Sequence, residues 1–193
     1  MSFSLNRNEF VANKLGNLNG EKILDIGCRD KVFKKYLKGN FKYKGIDYKP
    51  DNLNNDVDDN EFINHNLELG LPNDSNYDII NALDVLEHLE NIHNLFQEIF
   101  KKSNKKIVIA LPNMGYYKFR LKFLFKGEIS EKYIFHKNKV QDRHRWIPNY
   151  KSIMEFVKEN CPAEWQLTKF NFIAERKTNF IFYYIEKFLS KFL

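Results

Sequence analysis

Cysteine is scarce in this chain. There are 2 in 193 residues, Cys28 and Cys161, too few for a disulfide framework and in no zinc-ligand spacing. A reduced, intracellular protein is the expectation. Long apolar runs are missing as well: nowhere do roughly 18 uninterrupted apolar residues occur. The opening MSFSLNRNEFVANKLGNL holds no apolar stretch of secretory length. Secretion and membrane spanning are both disfavoured, which points to the cytoplasm. Glycine is missing where dinucleotide loops want it. In ILDIGCRDKVF, residues 23–33, a G-x-G-x-x-G cradle would need glycine at 29 and 32, where Arg29 and Val32 stand. NAD and FAD are disfavoured.

What is present is a chain of single-domain length, able to bury a core without staples. Its 31 Lys and Arg against 25 Asp and Glu give a formal charge of +6. The excess is uneven, with residues 50–90 acidic and 101–145 basic. Such a surface can meet an anionic substrate, a membrane or nucleic acid, or stand as a lysine-rich solvated face.

Period and punctuation read as alternation rather than repeat. Residues 6–17 are expected to be helical and to break at Asn19 and Gly20. A short buried strand at 22–26 leads to a helix through Val32, Phe33, Tyr36 and Leu37 that stops at Gly39. A second strand at 43–46 ends in Asp47, and residues 50–60 form a polar connection. Strands follow at 62–65 and 77–83, then a helix with Leu89, Ile92, Leu95, Phe96, Ile99 and Phe100 on one stripe. A fifth strand at 106–111 is stopped by Pro112. This pattern predicts a doubly wound, Rossmann-like α/β fold, a mostly parallel sheet with helices on both faces.

Beyond the fifth strand the pattern changes. A basic aromatic helix at 116–126 is expected to pack its Phe and Leu on the domain while its lysines snorkel. An irregular charged stretch covers 127–146, then a helix 149–160, a strand 165–173 and an apolar helix 179–193. One domain is expected over residues 1–178, with a substrate-side insertion at about 114–148. The stretch 179–193 is too short to span a bilayer and apolar nearly all round. Three uses stand open for it: completing the core, a homodimer contact, or peripheral contact with the inner face of the membrane.

In open α/β sheets ligands bind beyond the carboxyl ends of the strands. Asp25 to Asp30 lies at the first such end. Gly27 lets the backbone approach a ligand, and N–H groups in the turn can meet a carboxylate. Asp47, ending the second strand, offers two fixed oxygens to neighbouring ribose hydroxyls.

With ILDIGCRD, YKGIDYKP, NHNLELGLPNDSNYDIINALDVLEHL and KIVIALPN in this order over residues 20–113, the chain resembles the class I S-adenosylmethionine-dependent methyltransferases. DVLEHL after YDII resembles their small-molecule branch, the methyltransferase type 11 group. IVIALPNMGYYKFRLKFLFKG is similar to the corresponding region of the MetW-type methyltransferases of methionine biosynthesis. The resemblance implies S-adenosyl-L-methionine as cofactor. It assigns Asp25, Gly27 and Cys28 to the methionine part, Asp47 to the ribose and Tyr48 to the adenine face. Asn66 and Leu67 would meet the adenine edge, and Asp84 with the backbone near Ala82 would lie beside the sulfonium. Asn66 stands where the family commonly has Asp. The family's D-x-G-x-G-x-G loop is broken at Arg29 and Lys31. A left-handed conformation at either would cost about 1–2 kcal/mol.

Methyl transfer from a sulfonium is a direct displacement; it demands in-line placement and exclusion of water, not a metal or a covalent intermediate. For a hydroxyl or amine acceptor a general base contributes about 10²–10⁴-fold. The candidates are His88 in DVLEHL and His136 or His144 in the charged stretch. Each also has a plainer role, helix-start packing for His88 and a solvated loop for His144. Asp142, Arg143, Arg145 and Trp146 would make a polar lid, with both arginines suited to a carboxylate or phosphate on the substrate. The acceptor expected is a small molecule or glycan-like. The alternatives are a catalytically weak regulatory partner of the MetW kind and a nucleic-acid methyltransferase. Against the latter, NALD stands where D/N-P-P-Y/F would follow the fourth strand.

Overall fold

The computed structural model describes residues 6–48, 60–73, 75–129, 131–135, 137 and 143–168. Helix α1 (Arg7–Leu15) starts at Asn6, whose side chain accepts from the Asn8 amide at 2.9 Å, and ends at Gly16. The strands are β1 (Asn17–Ile26), β2 (Lys38–Asp47), β3 (Phe62–Asn64), β4 (Tyr77–Leu83) and β5 (Ser103–Ala110). Helices α2 (Ile92–Lys102), α3 (Tyr117–Lys126) and α4 (Tyr150–Asn160) complete the set.

All strand pairs are parallel, in the order β3-β2-β1-β4-β5. The chain begins in the middle of the sheet, winds outward to β3, then returns to the other side of β1. The order therefore reverses between β1 and β4, where open α/β sheets leave a crevice beyond the strand ends.

Alternation along β1 divides the core. Leu24 and Ile26 point to the face covered by α2, where they pack with Ile80, Leu95, Phe96 and Ile99. Phe96 meets Phe156 of α4 edge-on at 4.9 Å, so α4 forms an outer layer on that face. Ile23 points to the opposite face with Leu18 and Ile79, beside the cluster of Val11, Ala12, Phe33 and Leu83 under α1. Asp25 shares that second face by parity.

Several elements differ from the sequence pattern. β1 and β2 begin well before the apolar residues that announced them, because Asn17↔Lys38 and Asn19↔Asn40 pair through polar strand ends. Gly39 therefore lies inside β2, where a Cβ would stand 2.2 Å from the Leu18 carbonyl. The helix expected before it contracts to one 3₁₀ turn, Phe33–Tyr36. α3 forms, but buries none of its residues, and Phe123, Leu124 and Phe125 are 59%, 72% and 78% exposed. Lys118, Arg120 and Lys122 alternate with Phe119, Leu121 and Phe123, which distributes charge around the helix and leaves no wide apolar stripe to pack. The strand expected at 165–173 does not form over 165–168. Its remainder, and the helix expected at 179–193, lie outside the described residues.

Gly45 sits opposite Asp25 in the register, and the Cys28 side chain fills the space above it; a Cβ there would be 2.6 Å from Cys28 Sγ. Gly45→Ala is expected to lose about 1–3 kcal/mol in urea unfolding through overpacking. Combined with Cys28→Ala it is expected to lose clearly less than the sum of the two single losses. Additive losses would show that the contact does not decide the cost.

Candidate functional site

The carboxyl ends of β1, β2 and β4 carry the polar residues that the sequence singled out. At the centre Asp25 is 3% exposed. Its Oδ2 accepts from the Tyr43 hydroxyl at 2.6 Å and its Oδ1 from Asn81 Nδ2 at 2.7 Å. Register explains the set: Asp25 lies opposite Asn81 on β4, and Tyr43 is on the same face of β2. Burial pushes the Asp25 carboxyl up to about 6, although both hydrogen bonds and Arg7 pull the other way. Burial, with the Asp25 carboxylate, also raises the Tyr43 phenol.

After β1 the chain turns sharply. Gly27 has φ 69, and the non-glycine residues Arg29 and Lys31 have φ 49 and 54. Both departures from the family's glycines thus occupy left-handed backbone, the strained case that the sequence raised. The turn is held by the Gly27 and Cys28 amides on the Ile46 carbonyl, at 2.8 and 3.1 Å. It is closed by Asp47, whose Oδ2 accepts from the Arg29 amide at 2.7 Å and whose Oδ1 accepts from the Tyr48 amide at 2.8 Å. Lys31 sends its side chain to Glu61, 3.4 Å away, where Lys34 also reaches at 2.5 Å. Lys34 above all, and then Lys31, hold the Glu61 carboxyl below its usual range.

The other named residues divide by orientation. Tyr48 is 62% exposed beside Asp47. Asn66 caps the 3₁₀ turn Leu67–Leu69, accepting from the Glu68 amide at 3.1 Å. Cys28 and Leu67 turn their side chains into the interior, so it is main chain that each would present to a ligand. Asp84, at φ 54, follows β4 and pairs with the guanidinium of Arg7. Arg7 comes from α1, at the far end of the sequence. Burial lowers its pKa, and the charges of Glu87 and Asp25 counter that.

His88 and His144 come together. Residues 143–146 form a strap laid over 87–90, fixed by main chain: the Arg145 amide to the Glu87 carbonyl at 2.8 Å and Trp146 Nε1 to the Leu89 carbonyl at 2.7 Å. The two imidazoles meet edge-on, with centroids 4.6 Å apart. Oε1 of Glu87, on a fully buried side chain, lies 4.0 Å from His88 Nε2 and 3.9 Å from His144 Nε2. Arg145, expected to face substrate, instead donates to the His88 carbonyl at 2.9 Å and pairs with Glu90 at 2.9 Å and Glu68 at 3.6 Å. It is a strut of the strap. His136 and Asp142 lie outside the described residues.

Arg7, Tyr43, Asn81 and Glu87 were not singled out in the sequence. Asn81 had a visible signal, one amide inside the apolar strand YDIINAL. Tyr43 had a weaker one, sharing parity with Gly45 and Asp47.

The raised Asp25 carboxyl has a sign that can be worked out. The folded protein holds its proton more tightly than the unfolded chain, so this contribution to stability is full below about pH 4 and is lost as pH rises through about 6. The loss is on the order of 2–3 kcal/mol. Urea midpoints measured from pH 4 to 7 are expected to fall more steeply for the native protein than for Asp25→Asn.

A family model described as a methyltransferase domain matches residues 5–159. Among solved structures, the plantazolicin methyltransferase BpumL, in complex with a monoazolic desmethylPZN analog and SAH, is 18% identical at TM-score 0.45. That match covers 61% of this chain and 49% of the other, so the chain spans about half the length of that enzyme. A SAM-dependent methyltransferase from Archaeoglobus fulgidus is 17% identical at TM-score 0.48, with coverage of 95% and 86%. No curated protein matches. Among the described residues no helix is long and apolar enough to cross a membrane. With a parallel sheet wound outward from β1, acidic ends on β1, β2 and β4, and a domain model covering most of its length, the chain belongs to the methyltransferase domain family.

Proposed function

We propose that the protein transfers the methyl group of S-adenosylmethionine to a small-molecule or glycan-like acceptor. The observation that carries this reading is the first loop, in which residues 27, 29 and 31 all have positive φ although two of them are Arg and Lys. Left-handed backbone costs each of those two about 1–2 kcal/mol. Strain of this kind persists where the surroundings over-determine it, and it collects at ligand sites. In the turn that results, the amides of Gly27, Cys28 and Arg29 are taken by the Ile46 carbonyl and by Asp47, which fixes the shape it presents at the strand ends.

In this reading the methionine carboxylate meets the loop, and Asp47 accepts from the ribose hydroxyls with the lone pairs that its two backbone bonds leave. The exposed Tyr48 ring covers the adenine, and the Asn66 oxygen accepts at the adenine edge. Asp84 lies beside the sulfonium, its carboxylate shared between the Arg7 guanidinium and the cofactor's positive charge. Bound S-adenosylmethionine supplies the electrophilic methyl. The chain holds it, excludes water under the strap, and takes the acceptor's proton at His88 or His144. Lys31 does not crowd the cofactor in this account, because its side chain is drawn to Glu61.

Calorimetric titration with S-adenosylmethionine and S-adenosylhomocysteine tests this. Both are expected to bind, and Asp47→Ala is expected to weaken both about 10- to 100-fold, the loss of two hydrogen bonds. Absence of binding to either ligand would overturn the reading.

A further inference from the structure

We infer that Glu87, His88 and His144 form a binding site for one divalent metal ion. Cysteine spacing gives no hint of it, and two of the three residues are adjacent in sequence while the third comes from the strap. Folding brings one ligand atom from each to within 4.8 Å of the others.

The protonation pattern of the two rings carries the inference. His88 Nδ1 lies 2.9 Å from the Arg143 carbonyl, which can only accept, so Nδ1 bears the hydrogen. His144 Nδ1 lies 2.9 Å from the Tyr133 hydroxyl, and that hydroxyl donates to the Trp146 carbonyl at 2.7 Å. The hydroxyl oxygen is therefore the acceptor, and His144 Nδ1 is again the donor. In both neutral rings Nε2 is the nitrogen with a lone pair, and both Nε2 atoms face the same buried carboxylate oxygen. Metal-ligating histidines are held in this way, one nitrogen on the ion and the other donating to a carbonyl or hydroxyl; with the ion bound neither ring can accept a proton, so the base role proposed above belongs to the ion-free protein.

The separations favour an ion over a proton. At 3.9 and 4.0 Å a shared proton makes no hydrogen bond, since those need about 2.7–3.2 Å. Two tetrahedral ligands about 2.1 Å from one ion stand about 3.4 Å apart. Each Glu–His pair, at 4.0 and 3.9 Å, therefore closes by about half an ångström when an ion enters, and the two rings close from within 4.8 Å. Two imidazoles and a carboxylate suit zinc, cobalt(II), manganese(II) or iron(II) rather than calcium or magnesium. The charge of such an ion also offsets the cost of a carboxylate at zero exposure.

The test uses the tag-free, chelator-treated full chain without cofactor, so its outcome is independent of the methyltransferase reading. Titration with cobalt(II), followed by visible absorption, and with zinc, followed by calorimetry, is expected to show one site of about one equivalent. His88→Gln and His144→Gln are each expected to abolish it. Tyr133→Phe, which removes only the partner of His144 Nδ1, is expected to weaken it by about tenfold or more. Glu87→Gln should also abolish the site, and far-UV circular dichroism decides whether that variant is folded. Absence of binding to the folded native chain, or binding unchanged in both histidine variants, would overturn the inference.

Discussion

The Asp25 carboxyl stands in the central strand with a hydroxyl from β2 on one oxygen and an amide from β4 on the other. A carboxyl in that position is costly unless its partners are held to it, and the partners are in turn fixed by strand register. One polar contact thus ties three strands together at the level where the loops begin. The turn after β1 inherits its starting direction from this contact. So does the descent of β2 into Asp47, two residues beyond Gly45, which lies opposite Asp25.

Around this anchor the two halves of the site are built differently. On the β1–β2 side a carboxylate organises main-chain donors, with Asp47 gathering the amides of Arg29 and Tyr48. On the β4 side main chain organises side chains, with carbonyls at 87–89 receiving the strap and the strap delivering His144. Arg7 joins the halves, since its guanidinium holds Asp84 and feels the charges of both Asp25 and Glu87. An arginine from α1 could not be foreseen there, because nothing in RNEFVANKL marks it off from an ordinary solvated helix residue.

The sheet was legible because its buried strands are short apolar runs, and β4 has the expected bounds. What escaped was polar backbone pairing, as in the first residues of β1 and β2, where most side chains are exposed and Leu18 is the one buried residue. Asp25, Asp47, Asp84, His88 and His144 were legible as candidates from position or from the family resemblance. Glu87 escaped because glutamate beside a helix start is ordinarily solvated; its burial depends on a strap more than fifty residues away. Arg145 was misjudged for a related reason. Its fork suits a substrate anion in isolation, but Glu68 and Glu90 converge on it once the chain is folded. The exposed face of α3 shows the converse, an aromatic sequence that reads as core yet has no stripe with which to pack.

The strap has a consequence for the order of events along the folding pathway. Its contacts join residues 57 apart in sequence, and Arg7 reaches Asp84 across 77. The β1–β2 and β4–β5 pairs close much shorter loops. Loop-closure entropy grows with separation, so the β1–β2 and β4–β5 pairs can form first, but joining them through β1 and β4 spans 56 residues, a closure about as long as the strap's own. The strap is tied to residues 87–89 by hydrogen bonds to their carbonyls, so movement of the strap carries His144 with it.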